Sequence, residues 1–261
     1  MGTAQRRQPV STPEIDGVVE SLAAVTRRFE AAGDPRRHFV ATYARTTAAV
    51  RDAVRAGAFE DPAWVDRWDA AFARLYLDAL AAFDADPATA PRPWRAAFTA
   101  DADLPALRLL LLGMNAHINL DLPQALLAVI DDDGFADPDL LALRRRDHER
   151  IDDVLASRVA AEDRELAAGA GSRLGRSLLD RALVPLNRIA TRRFLAESRR
   201  RVWHNASALQ RARVAGPAAY ARRLAELEEL GAARIADLVA PGQVLLKLAR
   251  GGFGVTLPFS S

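Results

Sequence analysis

Residues Leu109 to Pro123 read LLLLGMNAHINLDLP, and this run admits few environments. At about 100° per residue, Leu109 to Leu112 together with Ile118, Leu120 and Leu122 cover every side of a helix. A helix apolar all round belongs in a protein interior. The same run carries Asn115, His117, Asn119 and Asp121 in its last two turns. His117 and Asp121 are one turn apart and share a face, while Asn115 and Asn119 share nearly the opposite one. Interior polar groups are costly unless each finds a partner, so the run is either a satisfied network or a site. Pro123 cannot supply the amide that would reach the Asn119 carbonyl, and it predicts a kink or break just beyond Asp121.

The rest of the chain sets what can surround this segment. With 261 residues, 50% of them apolar and 7% aromatic, it can bury one substantial core. Nothing alternates cleanly with period two, whereas apolar residues recur at helical spacing almost throughout, so the expected class is all-α. Proline, glycine and aspartate punctuation predicts helices over 12–32, 35–57, 62–84, 104–122, 137–167, 173–190, 191–214, 216–238 and 241–249. Asp131-Asp132-Asp133-Gly134 reads as a turn. The expectation is one compact bundle over 12–250 around the 104–122 helix, with a soft boundary near 169–172. Residues 1–11 read as a disordered arm and 251–261 as an irregular tail.

Several chemistries are excluded. Cysteine is absent, which removes disulfides, thiolate metal ligands and a cysteine nucleophile. No glycine-rich loop fits a nucleotide or flavin fingerprint, and Gly251-Gly252-Phe253-Gly254 has no strand before it. No serine sits in a nucleophile elbow. The most apolar stretch, 103–122, contains Arg108 and the polar cluster, so no membrane span is expected. The N-terminal MGTAQRRQPVSTPE has no apolar core of signal-peptide length, which makes the cytoplasm the expected location. Residues 1–140 hold 14 basic and 21 acidic residues, and 141–261 hold 22 and 13. The arginine runs Arg144–Arg146 and Arg199–Arg201 are interleaved with acids and lack stacking aromatics. The two halves are therefore expected to neutralise each other rather than to bind nucleic acid. Oligomeric state is not legible.

Chemistry, if present, centres on four histidines, His38, His117, His148 and His204. His117-x3-Asp121 and His148-x3-Asp152 repeat one pattern, which puts an imidazole and a carboxylate on one helical face. Two such pairs on facing helices could supply a metal set, with Asp69 or Asp147 as a further carboxylate. Such a set suits zinc, iron, manganese or magnesium. Asp69 and Tyr76 lie one helical repeat apart at the edge of an inner face formed by Trp64, Trp68 and Phe72. His38 and His204 fall off the apolar stripes and read as surface or packing residues. The run DDDGFAD is superficially similar to the aspartate-rich magnesium motif of helical terpene synthases, but it contains Gly134 and reads as a loop.

The segment GMNAHINLDLPQAL, residues 113–126, resembles an actinobacterial family of uncharacterised proteins with a Gly-x-Asn-Ala-His-Ile-Asn-x-Asp-Leu signature. The likeness extends through HFVATYARTTAAV (38–50), FEDPAWVDRWDAAFARLYLDAL (59–80) and Trp94 toward the helix of Trp203. It implies that Asn115, His117, Asn119 and Asp121 act as a unit, with Asp61, Tyr76 and Trp94 attached to it. A looser likeness is to the all-helical zinc phospholipase C and nuclease group, which holds several zinc ions with His-x3-Asp and His-x3-Glu pairs. This chain has fewer histidines than a trinuclear zinc site uses.

These features lead to an expected enzyme acting on a small apolar or phosphorylated molecule in an internal cavity. His117 would be a metal ligand or general acid/base, and Asp121 its co-ligand or orienting group. Asn115 and Asn119 would hold polar atoms of the substrate or brace the kink, and Asp69 and Tyr76 would be either part of the site or a buried hydrogen-bonded pair without function. Phosphoester hydrolysis is the most concrete version. A cyclase, oxygenase or isomerase of specialised metabolism, and a non-catalytic ligand carrier or scaffold, are the alternatives.

Overall fold

A computed structural model describes residues 10–168 and 188–258. The described chain is helical with no strand, as the periodicity requires. Helices α1 (Pro13–Ala32), α2 (Arg37–Arg55) and α3 (Pro62–Ala85) form an N-terminal layer. α4 (Arg92–Phe98) leads into a central rod of α5 (Ala106–Ala116), a π-turn (His117–Asp121) and α6 (Leu122–Val129). A single-turn α7 (Asp132–Ala136) precedes α8 (Pro138–Ala168), then come α9 (Arg188–Ala215), α10 (Pro217–Val239) and α11 (Val244–Gly251). The rod is clasped from both sides: α5 packs on α2 and α10, and α6 packs on α3 and α9. It is the buried centre that its all-round apolarity predicts.

The expected irregularity at Pro123 takes a specific form. The turn His117–Asp121 is wound as a π-helix, and the Leu122 amide reaches five residues back to the His117 carbonyl. Pro123 then sits in the first turn of α6, where an amide is not needed, and the rod continues to Val129. A π-turn holds one residue more than an α-turn and is a frequent feature of functional sites.

Local differences from the sequence reading have local causes. Asp131 caps α7 by accepting from the Gly134 amide at 2.8 Å, so the run read as a turn or loop closes one helical turn. α4 falls where no helix was expected; Pro93, the last of the prolines at 87, 91 and 93, lies in its first turn. The break expected at 190–191 falls inside α9, which runs through it. The soft boundary at 169–172 and most of the 1–11 arm lie outside the described residues. The tail after α11 is irregular, yet Phe253 and Leu257 are buried.

The uneven charge is used internally. Arg144 and Arg146 of α8 bind Asp61 and Glu60, Arg213 of α9 binds Asp132, and Arg199 engages Asp152. Two acids cap helices from a distance: Asp66 accepts the Ile15 amide of α1 at 3.0 Å, and Asp147 accepts the Glu60 and Asp61 amides at 2.8 Å each. Among the described residues no helix is long and apolar enough to cross a membrane.

Candidate functional site

The site begins with spacing on α3. Trp64, Trp68 and Phe72 are successive four-residue steps, so their rings stack in a column, with centroids 5.8 and 5.9 Å apart and planes within 16°. His117 of the π-turn completes the column, its ring 3.6 Å from that of Phe72 and tilted by only 6°. α2 supplies the second wall. Tyr43 stands edge-on to His117 with centroids 4.3 Å apart, and Phe39 does so at 5.7 Å. Tyr76 and Trp94 close the remaining sides at 6.3 and 5.9 Å.

Gly113 makes this wall possible. A Cβ there would lie 2.5 Å from the Phe39 ring, so any side chain would push that ring away. Phe39 in turn touches Tyr43, Tyr76, Trp94 and His117. Gly113, the first residue of the GMNAHINLDL segment, is thus the seat of the cage rather than part of its chemistry.

Inside the cage, His117 Nδ1 and Asp121 Oδ2 are 2.8 Å apart, and the Trp94 indole N–H donates to the same oxygen at 2.9 Å. Both members of the pair are fully enclosed. Burial pushes the His117 ring well below the usual imidazole range, and it pushes the Asp121 carboxyl well up, against the opposing Trp94 bond. Both shifts have one cause, the cost of holding a charge in an enclosed apolar wall. His117 Nε2 has no partner, and neither does the Tyr76 hydroxyl, whereas the Tyr43 hydroxyl meets Thr47 one turn along its own helix. Asp69 adds a further buried carboxyl whose Oδ2 is unpartnered. Burial first, and Asp66 second, raise it to about 8. It acts electrostatically on Tyr43, as Asp121 also does.

The Asn residues do different work. Asn119 lies on the opposite side of the π-turn, where its Nδ2 donates to the Phe253 carbonyl at 3.2 Å and its Oδ1 accepts from the Val255 amide at 3.0 Å. Asn115 also donates to the Phe253 carbonyl, at 2.8 Å. These two residues, expected to hold substrate or to brace the kink, bond the chain's own tail. His204, expected at the surface or in packing, meets the Leu257 carbonyl at 2.8 Å. Tyr43, Asn205 and the arginines of the tail seat carried no signal that separates them from ordinary helix residues.

The expected four-ligand metal set is not assembled. His148 is enclosed between Trp68 and Trp203, and burial pushes it to about 3. Asp152 is taken by Arg199, and Asp147 by the amides before α3. Among the described residues no three His, Asp or Glu side chains form a group that could hold a metal ion. His117 and Asp121 therefore come together as a pair with Tyr76 beside them, while His148 packs between Trp68 and Trp203 and Asp152 binds Arg199.

Beside the cage runs a narrow cleft lined by Arg36, Phe39, Tyr76, Trp94, Phe98 and Gly113, with a free volume of ≈ 20 Å³. That is room for about one water molecule. Its arginine is neutralised by Asp34 and Asp84. No curated protein and no solved structure matches the chain. Residues 15–241, which include every side chain of the cage, match a family of unknown function (DUF5995), and the chain belongs to that family.

Proposed function

We propose that the protein is an acid–base enzyme for a small apolar molecule, with His117 Nε2 as the reacting nitrogen. The observation that carries this reading is His117 Nε2, which has no partner although its ring is walled by Phe39, Tyr43, Phe72, Tyr76 and Trp94. Buried polar atoms are nearly always paired, so an open ring nitrogen in an aromatic wall marks where a ligand or water sits. Asp121 orients the imidazole and exchanges a proton with Nδ1 while Nε2 gives one to, or takes one from, the substrate. Tyr76 lines both cage and cleft, which makes it the gate through which a substrate enters. In this reading GMNAHINLDL is the working signature of an actinobacterial, cytoplasmic family.

Two carboxyls raised by burial, Asp69 and Asp121, favour proton donation, which suits an acid-catalysed isomerase or cyclase of specialised metabolism. Phosphoester hydrolysis has less support, because the cleft arginine is already paired and no three-ligand metal group converges among the described residues. The scaffold reading is favoured by one observation, the small free volume of the cleft, ≈ 20 Å³. The test is deuterium incorporation from D2O into small ketone and alkene probes, followed by mass spectrometry, with aryl esters and aryl phosphates assayed in parallel. Elemental analysis of untagged protein accompanies it. The proposal expects exchange that falls at least tenfold in folded His117→Ala and Asp121→Asn. Equal exchange in all three proteins would overturn it in favour of the scaffold.

A further inference from the structure

The tail after α11 is held in an unusual way. It is irregular and among the described residues it pairs with no strand; its main chain is bonded by side chains of the rod, α9 and α10. Asn119 bonds the Phe253 carbonyl and the Val255 amide. Asn205 repeats that pattern two residues on, donating to the Val255 carbonyl at 3.0 Å and accepting from the Leu257 amide at 2.9 Å. Each Asn thus stands in for one residue of a neighbouring strand, since a carboxamide offers the same donor and acceptor as a peptide unit. The carbonyls between and beyond are taken by cations and an imidazole: Gly252 by Arg234, Gly254 by Arg201, Leu257 by His204 and Pro258 by Arg223. Phe253 and Leu257 are buried, while Thr256 is exposed.

We infer that this groove is a peptide-binding site, and that Phe253–Pro258 is its ligand in cis. Main-chain bonds at alternate residues supply affinity without regard to sequence, and side-chain pockets supply specificity, which is how extended peptides are recognised. Here the pockets select an aromatic residue and a leucine four positions later. Gly254 suits the position between them, because a Cβ there would lie 2.7 Å from the Arg201 side chain, which would have to shift. The seat and its occupant are also separable in sequence. Asn115, Asn119, Arg201, His204, Asn205, Arg223 and Arg234 all lie within the family match at 15–241, whereas the tail lies beyond it. Gly252, with φ of 71°, provides the turn at which α11 hands over to the tail. The ligand class is therefore an extended segment of the pattern Phe-Gly-Val-x-Leu-Pro, supplied by this chain or, once its tail is displaced, by the same segment of a second copy.

The test uses the full chain with its tail loosened by Val255→Pro and Leu257→Asp, which remove the amide bonded to Asn119 and place a charge in the leucine pocket. A fluorescein-labelled peptide of residues 250–258, RGGFGVTLP, is titrated into it and followed by anisotropy. The loosened chain keeps its helical circular dichroism and cooperative melt, and it binds the peptide saturably. The unaltered chain binds at least tenfold more weakly, because its own tail competes at high effective concentration. Adding Asn205→Ala to the loosened chain removes binding, and so does proline at the peptide's valine. The inference is overturned if the loosened chain loses its cooperative melt, which makes the tail an integral part of the core. It is equally overturned if the folded variant does not bind, or if it binds both peptides alike.

Discussion

On one face of the π-turn Asn119 has a partner for its donor and for its acceptor, and Asn205 completes the same pattern along the tail. On the other face His117 has one nitrogen bonded to Asp121 and the other bonded to nothing. The two faces are equally buried and arise from the same four-residue spacing. What differs is that one face meets main chain and the other meets aromatic rings. A satisfied polar group stabilises a structure, whereas an unsatisfied one lowers its stability and needs another reason to persist. Buried polarity alone therefore does not mark a site; what separates these two faces is that Asn119 is bonded through both its donor and its acceptor while His117 Nε2 is open.

The largest test of this contrast is His117→Ala. It opens a gap among the rings and leaves Asp121 with Trp94 alone, and we expect a loss of about 3–5 kcal/mol by chemical denaturation. His117→Phe combined with Asp121→Leu should recover much of that loss, because the cage is otherwise apolar. A double variant as unstable as the single one would show that the pair stabilises the fold, which removes the contrast.

A second test follows from Asp69. Its carboxyl has an ordinary value of 3.8 and is raised by burial to about 8 in the folded chain. Between those values the folded state binds the extra proton, so stability is complete below about pH 4 and falls as pH rises toward 8. The slope is on the order of 1 kcal/mol per pH unit. Asp69→Asn should flatten it in melts run across that range, and an unchanged slope would place its origin elsewhere.

On the satisfied face, Asn119→Ala and Asn205→Ala should each cost about 1–3 kcal/mol by leaving tail groups unpaired. Amide exchange should quicken at Val255 and Leu257 while the cage stays protected, which hydrogen exchange read by NMR will show. If protection is lost in the cage as well, the faces are not independent. The smallest effect is expected at the outer end of the ring column, where the Arg144 guanidinium lies 4.8 Å over Trp64. Arg144→Ala should cost about 1 kcal/mol in thermal melts and leave the His117 ring resonances in place.

The helical class and most helix limits were legible because they rest on local periodicity and on proline, glycine and aspartate punctuation. The pairing of His117 with Asp121, and its separation from Asn115 and Asn119, followed from spacing along one helix. The π-turn was only half legible: Pro123 announced an irregularity, but where the extra residue enters depends on what the rod packs against. The second His-x3-Asp pair misled for the same reason. His148 and Asp152 have the right spacing, but Trp68, Trp203 and Arg199 reach them first. Trp94 was visible as a residue, but its bond to Asp121 was not, because nothing in the intervening residues specifies it.

By itself the sequence determined that the chain is helical, that Leu109 to Leu122 runs through the middle of it, and that four polar side chains are buried there on two faces. Those properties depend on residues within a turn or two of each other, where helix geometry fixes who is next to whom. Only the tertiary structure decided which face would be bonded and which would be left open. That outcome depends on Tyr43, Trp94, Asn205 and the tail arriving from positions far apart in the chain. Their meeting is set by how whole helices pack, and no local pattern encodes it.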